Sequence, residues 1–274
     1  MPRSPNAQTA VELYNGLSDT HKWDAKTAWH GIARLLLSCE VWSRGWQPFK
    51  GVVVYREVND FKTDSAGNPN AVLRRATALS DYLAGELGIE RADLCQELAI
   101  YWRQPTISHF QPHNLVGHAF RSLTVNILQR FGSPGILYEE EVDPHLEFPG
   151  FDFRTRSKKP SIDIVARKGG KTVALMSTRW RFRHDRVDVV EEALAYSGAA
   201  HRHNPNCDLL AVVGEFAPNR LEKILSNCPP AHAHPPLSAA VHFAPELISK
   251  GLGENGRLAA LRGLDWLIAR TFEW

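Results

Sequence analysis

The stretch Ser161–Trp180 reads SIDIVARKGGKTVALMSTRW and contains two apolar runs separated by a pair of glycines. Each run is rich in β-branched residues and has the length of a single strand. The segment Lys168–Gly170 between them is typical of a tight turn. The stretch therefore predicts a β-hairpin whose tip lies at the two glycines.

The length of the hairpin loop decides which side chains share a face. Asp163 lies on the first strand, and Ser177 and Arg179 share one side of the second, because side chains alternate along a strand. A three-residue loop, Lys168–Gly170, would place Asp163 opposite Leu175, diagonal to Ser177 and on the same face. A strict two-residue turn would separate them onto opposite faces. We therefore expect the three-residue loop, or a bulge.

The segments around the hairpin indicate the fold class. From residue 136 onward, short β-branched runs alternate with helical stretches, whereas the first 135 residues carry apolar residues mainly at helical spacing. Strands mixed with helices predict an α/β fold with a central mixed β-sheet flanked by helices. We expect a mainly helical N-terminal region, residues 1–135, and an α/β core, residues 136–274.

Composition and charge argue against a strongly basic, a disulfide-linked or a membrane-spanning protein. The 274-residue chain has a net charge of +2, so any basic binding site must come from local clustering. The four cysteines form no CxxC pair, which is typical of reduced thiols in the cytosol. No segment resembles a signal peptide or a membrane span. We expect a soluble, cytoplasmic protein that has no membrane partner.

A cationic cluster follows the second strand of the hairpin directly. Four arginines, one histidine and one aspartate lie within Arg179–Arg186. A carboxylate on one strand that faces a polar-x-cation pair on its partner resembles the PD-(D/E)xK nucleases, in which acidic residues hold Mg²⁺ and a lysine contacts the attacking water or the phosphate. Asp163 and the tripeptide Ser177–Arg179 depart from the plain motif, because serine and arginine stand where glutamate and lysine are usual.

The longer string STRWRFRHDR resembles the S-x-K-W-x-x-R-x-D-R motif of type II restriction endonucleases that cut CCGG-centred sites, and it implies their restriction-endonuclease-like fold. Five residues match in register: Ser177, Trp180, Arg183, Asp185 and Arg186. In that family a serine replaces the usual glutamate, and a glutamate of the next helix takes over its metal role. The resemblance therefore implies Glu192, or its neighbour Glu191, as a Mg²⁺ ligand beside Asp163. The family also uses an earlier glutamate on an N-terminal helix, and the resemblance implies Glu97 as this further metal ligand.

The residues after the strand have the chemistry for reading G·C pairs. An arginine can bind guanine O6 and N7 together, and a carboxylate can accept from the cytosine amino group. Arg183 and Arg186 are thus predicted to read guanines, and Asp185 to bridge cytosines. Reading a palindrome requires two copies, so we expect a homodimer on double-stranded DNA. The resemblance further implies a site of about six base pairs, 5′ four-base overhangs and a cognate DNA methyltransferase as companion.

Arg179 leaves two interpretations open. Arginine stays protonated near neutral pH and cannot act as a general base, but it can stabilise charge on a phosphate transition state. In the first interpretation the chain is an active nuclease whose catalytic residues are Asp163, Ser177, Arg179, Glu97 and Glu192. In the second it is a CCGG-specific DNA-binding protein with weakened cleavage on the same fold.

Two further segments carry chemistry that the nuclease interpretation does not require. The basic segment Arg154–Pro160 would either lie near the DNA backbone or be a disordered basic loop. Histidines and cysteines bunch in His201–Cys207 and Cys228–His234, which raises a zinc site although the spacing matches no standard zinc module. A third interpretation is therefore an interaction domain, zinc-supported or not, with no role on DNA.

Overall fold

The computed structural model describes residues 112–153, 160–180, 188–215, 218–229, 235–243 and 261–274, together with seven scattered positions. The chain forms two compact units, one of residues 2–123 and one that contains residues 124–274. The predicted division at residue 135 stays a prediction. Within the described ranges, no helix combines the length and apolar character that a bilayer span requires.

The unit that contains residues 124–274 is built on a five-stranded sheet with the strand order β1-β2-β3-β4-β5. The strands are β1 (Ile136–Val142), β2 (Ile162–Lys168), β3 (Lys171–Arg179), β4 (Asp208–Val213) and β5 (Ala239–His242). The described helices are α1 (Pro112–Phe131), which begins in the other unit, α2 (Pro144–Glu147), α3 (Asp188–His203), α4 (Pro218–Leu225) and α5 (Leu264–Thr271).

The sheet is mixed, as the sequence predicts. β1, β2 and β3 pair antiparallel, whereas β3, β4 and β5 pair parallel. The change in direction follows from the connections, because a tight turn joins antiparallel neighbours and parallel neighbours need a crossover. The helices α3 and α4 provide the two crossovers. The predicted α/β class with a central mixed sheet flanked by helices is confirmed.

The helices α3 and α4 cover one face of the sheet with apolar side chains. Val189 and Ala193 of α3 belong to the same buried cluster as Leu221 of α4 and Ala211 and Val213 of β4. Farther along α3, Tyr196 packs in a second buried cluster with residues of β2 and β3. This packing fixes the rotation of α3 about its axis, and with it the direction in which its polar residues point.

The turn of the hairpin has two residues rather than three. Lys168 pairs with Lys171, and Gly169 and Gly170 have φ of 59° and 79°. Two consecutive positive φ values define a type I′ turn, which glycine adopts without strain. The predicted three-residue loop Lys168–Gly170 is therefore wrong, because the glycine pair can close the turn by itself.

A β-bulge restores the shared face that the loop was expected to provide. The register shifts between Ala166 and Arg167, and beyond the shift Val165 pairs with Leu175. Continued to the start of β2, this register places Asp163 across from Ser177, so the predicted pairing of Asp163 with Leu175 is wrong by two residues. The alternative prediction of a bulge is correct, because the extra residue on β3 returns the two polar side chains to one face.

An ion-pair group, which we call the edge triad, joins the outer strand to the hairpin. The Arg167 guanidinium of β2 pairs with Glu139 of β1 and with Glu147 of α2. The hydroxyl of Thr172 on β3 also donates to Glu147. The edge triad therefore ties β1, α2 and both hairpin strands together at the hairpin end of the sheet.

Candidate active site

Asp163 lies at the start of β2, and its carboxylate holds the end of β3. One oxygen, Oδ2, accepts from the backbone N–H of Thr178 at 2.7 Å and from the Thr178 hydroxyl at 3.3 Å. The same oxygen pairs with Nη1 of Arg179. These bonds connect residues 15 and 16 positions apart in the chain. Asp163 is thus fixed by the hairpin geometry rather than exposed at a strand edge.

Glu192 reaches the same place from the first turns of α3. Its Oε2 accepts from the Ser177 hydroxyl at 2.7 Å, and its Oε1 pairs with Nη2 of Arg179. The helix is rotated so that Val189 and Ala193 face the core, which turns Glu192 along the sheet and leaves Glu191 exposed. Between the two adjacent glutamates, helix rotation therefore selects Glu192 for this site.

One guanidinium stands between two carboxylates, and we call Asp163, Arg179 and Glu192 the site triad. Burial opposes the positive charge of Arg179, but attraction to Asp163 and Glu192 outweighs it and raises the pKa of Arg179. Burial raises the pKa of Glu192 to about 7, and the nearby charge of Asp163 adds to the rise that Arg179 opposes. At Glu192, desolvation by burial therefore outweighs the attraction of the guanidinium.

Trp180 anchors the strand end that carries Arg179. Its side chain is buried and stacks on Phe243, with ring centroids 5.2 Å apart. Gly214, just after β4, donates its N–H to the Arg179 carbonyl at 2.9 Å. A Cβ at Gly214 would come within 2.2 Å of the Trp180 ring. The absence of a side chain at 214 is thus required for Trp180 to lie where it does.

The site triad offers oxygen donors that suit Mg²⁺. This ion is commonly held by one or two carboxylates, with water and substrate phosphate completing its octahedral shell. Asp163 and Glu192 provide two carboxylates on one side of the hairpin, so the donor set fits that pattern. In the described part of the chain, no three His, Cys, Asp or Glu side chains gather as a metal site. Any further protein ligand would have to come from residues outside it, among which Glu97 lies.

The structure describes four of the predicted catalytic and DNA-reading residues and brings these four together. Hydrogen bonds link them in the order Ser177, Glu192, Arg179 and Asp163. The remaining predicted residues lie outside the described residues: Glu97, Arg183, Asp185 and Arg186. The basic segment 154–159 lies outside them too. The catalytic and DNA-reading roles of all these residues remain predictions.

The histidine and cysteine segments contribute no metal cluster within the described ranges. Cys207 and Cys228 lie in separate apolar clusters, and burial raises the pKa of each thiol to about 12. His201 Nε2 lies 3.2 Å from the Cys207 carbonyl, a backbone contact. His232 and His234 are outside the described residues. The contacts described for Cys207 and Cys228 are thus packing contacts, and the contact described for His201 is with the backbone.

Two residues of the site region have no clear sequence signal. Thr178 donates twice to Asp163, yet it occupies the unspecified position of the S-x-K motif. Gly214 makes room for Trp180 only because β3 and β4 pair in parallel with Arg179 opposite Val213. A glycine at the end of an apolar run is the one available indication, and it does not identify the ring that it faces.

Comparison with known proteins gives a distant structural likeness. A solved structure titled "Restriction endonuclease PspGI-substrate DNA complex" has a TM-score of 0.37 and 13% sequence identity, covering 81% of this chain and 89% of that chain. No family model and no curated protein matches the chain. Because a TM-score of this size is too low to argue from, the function must be inferred from the residues of this chain.

Proposed function

We propose that this protein is a Mg²⁺-dependent type II restriction endonuclease that cleaves double-stranded DNA at a palindrome containing CCGG. The observation that carries the proposal is the site triad, in which Asp163 and Glu192 converge on Arg179. Directly after Arg179, the chain continues into the WRFRHDR part of the motif. A pair of metal-suited carboxylates therefore stands at the point where a stretch suited to reading G·C pairs begins.

Each residue of the site has a distinct role in the proposed reaction. Asp163 and Glu192, with Glu97 as a third candidate, would hold the ion, and Ser177 orients Glu192 through its 2.7 Å hydrogen bond. When bound there, Mg²⁺ supplies an activated water and neutralises charge on the phosphate. Arg179 stabilises the negative charge that develops on the phosphate, because its guanidinium stays protonated.

Recognition is assigned to the residues after β3. Arg183 and Arg186 would bind guanines and Asp185 would bridge the cytosine amino groups, each good bidentate contact contributing about 1–3 kcal/mol of discrimination. Two copies related by symmetry read the palindrome, so the working form on DNA is a homodimer. Cleavage before the first cytosine of a site of about six base pairs leaves four-base 5′ overhangs. A cognate methyltransferase would protect the same site in the cytoplasm.

A plasmid digest with end sequencing tests this proposal. Purified protein with Mg²⁺ is expected to give discrete fragments whose ends lie before the first cytosine of CCGG, and EDTA should abolish them. Plasmid that stays intact with folded protein would contradict the enzyme claim, and fragments with ends at unrelated sequences would contradict the specificity claim.

The position of Arg179 favours a second candidate function. A cation already lies between the two carboxylates, as in a site whose cleavage is weakened. The protein would then be a CCGG-specific DNA-binding protein on the same fold. It would shift a CCGG duplex in gels containing Ca²⁺ and give no product with Mg²⁺, and Arg179→Lys would raise cleavage. Failure of Arg179→Lys to raise cleavage would count against this candidate.

A further inference from the structure

Arg179 is bound on both sides by the oxygens that a metal would need. Its Nη1 meets Oδ2 of Asp163 and its Nη2 meets Oε1 of Glu192. Nη1 also donates to the carbonyl of Thr178 at 2.8 Å. The guanidinium therefore already bridges both carboxylates. A divalent ion that bridged the same oxygens would have to share them with a positive charge or displace it.

The charges around the site make sharing unfavourable. Two carboxylates face one guanidinium, and a divalent ion added beside that guanidinium would bring two like charges into contact in a mostly buried group. Repulsion between like charges is strongest where water cannot screen them. Displacement of the guanidinium removes this repulsion and returns both carboxylates to the ion.

A DNA phosphate is the natural acceptor for the displaced group. The side chain of Arg179 is 26% exposed and stands at the last residue of β3, so part of it is open to solvent. The planar guanidinium fork matches the oxygens of a phosphate as well as those of a carboxylate. A phosphate at the site would therefore take over the hydrogen bonds that Asp163 and Glu192 provide in the free protein.

We infer that Arg179 is an internal counter-ion that competes with divalent metal for Asp163 and Glu192 in the free protein and transfers to a DNA phosphate when substrate binds. Arg179 would then act as a positioning and gating residue as well as stabilising charge. By linkage, DNA raises the affinity for metal and metal raises the affinity for DNA. This inference rests on the proposed function, because it takes the site to be a metal site on DNA.

Calorimetric titration with Ca²⁺ alone, without DNA, tests the competition. Arg179→Met removes the charge and keeps an unbranched apolar side chain, so it should bind Ca²⁺ tighter than wild type by about tenfold or more. Adding Asp163→Asn to that variant should abolish the gain. The double variant Arg167→Met/Glu147→Gln, which removes the guanidinium of the edge triad together with its buried carboxylate, is the matched control and should bind Ca²⁺ as wild type does. Equal or weaker binding by Arg179→Met than by wild type would overturn the competition.

A second variant and a DNA arm complete the test. Arg179→Lys keeps the charge but cannot bridge both carboxylates with two nitrogens, so a gain of a few-fold is expected even if the methionine variant unfolds. With a short CCGG duplex present, the difference in Ca²⁺ affinity between wild type and Arg179→Met should shrink, and a difference of unchanged size would overturn the transfer to phosphate. Absence of any duplex binding and of cleavage by wild type would contradict the proposed function, while the gain of the DNA-free variants would still support the competition.

Discussion

The hairpin carries two groups of one arginine and two carboxylates, and their surroundings differ. In the edge triad, Glu147 is buried but Glu139 is 49% exposed, and the pKa of Arg167 is raised chiefly by its hydrogen bond to Glu147. In the site triad, both carboxylates are mostly buried, and burial is the largest influence on Arg179 and raises the pKa of Glu192. Each triad has one more carboxylate than guanidinium, but water reaches Glu139 of the edge triad, whereas neither carboxylate of the site triad is more than 22% exposed.

The positions of the two triads in the sheet match this difference. The edge triad lies toward the hairpin turn and joins antiparallel strands. The site triad lies at the carboxyl end of β3, where β3 and β4 run parallel. In α/β sheets, ligands bind beyond the carboxyl ends of parallel strands, and perturbed carboxylates concentrate at functional sites. The comparison therefore favours a structural role for the edge triad and supports the proposed chemical role of the site triad.

The largest expected difference concerns cleavage. Asp163→Asn should lower the cleavage rate about a thousandfold, because loss of a metal ligand removes several kcal/mol of transition-state stabilisation. Glu147→Gln, the matched change in the edge triad, should keep the rate within about fivefold while lowering the melting temperature. Single-turnover digestion at equal concentrations of folded protein measures both. Equal losses in the two variants would remove the distinction between the triads.

The free energy of unfolding should depend on pH because of Glu192. The pKa of Glu192 is about 7 in the folded protein, against an ordinary value of 4.5. As pH rises, this carboxyl therefore loses its proton in the unfolded chain before it does so in the folded protein. Stability that is fully present below about pH 4.5 is therefore lost as pH rises through 7, by about 3 kcal/mol. Glu192→Gln should not show this loss. Urea unfolding of both proteins across this range measures the difference, and parallel curves would contradict the assigned burial.

Packing behind the site should affect stability and cleavage together. Gly214→Ala places a methyl group against the buried Trp180 ring and should cost about 1–3 kcal/mol. It should also lower cleavage, because the ring supports the strand end that carries Arg179. Gly198→Ala on α3, where a Cβ meets nothing within 4 Å, is the control and should be neutral or slightly stabilising. Thermal melts and digestion report both effects, and a Gly214→Ala protein as stable and active as wild type would contradict the role of this packing.

The smallest expected effect is that of neutralising Glu191, the neighbour of Glu192. Glu191→Gln should change cleavage by less than about twofold, because this side chain is exposed, whereas Glu192→Gln should lower it by about a hundredfold or more. The two proteins differ only in which neighbour is neutralised, so parallel digests are directly comparable. A larger loss in the Glu191 variant would mean that the helix rotation seen here is not that of the active state.

The sequence predicts the parts of this site that depend on local pattern. Alternation along β3 places Ser177 and Arg179 on one side, and the glycine pair predicts the position of the turn but not its length. The predicted register of β2 against β3 is wrong because the position of a bulge inside a strand has no distinct amino-acid composition. The choice between Glu191 and Glu192 stayed open because helix rotation depends on which apolar residues meet β4. The double pairing of Arg179 depends on contacts between distant segments, which periodicity does not reveal.

Digestion of two duplex pools with equal length and composition, one with NCCGGN and one with NGGCCN at its centre (N being any base), tests the central claim most directly. With Mg²⁺, wild-type protein should cut only members of the CCGG pool, before the first cytosine on each strand, and Asp163→Asn should cut neither pool. Two results would contradict the claim that the site triad is the cleavage centre of a CCGG-reading nuclease. One is that wild type cuts both kinds of DNA equally, and the other is that it neither cuts nor binds either of them.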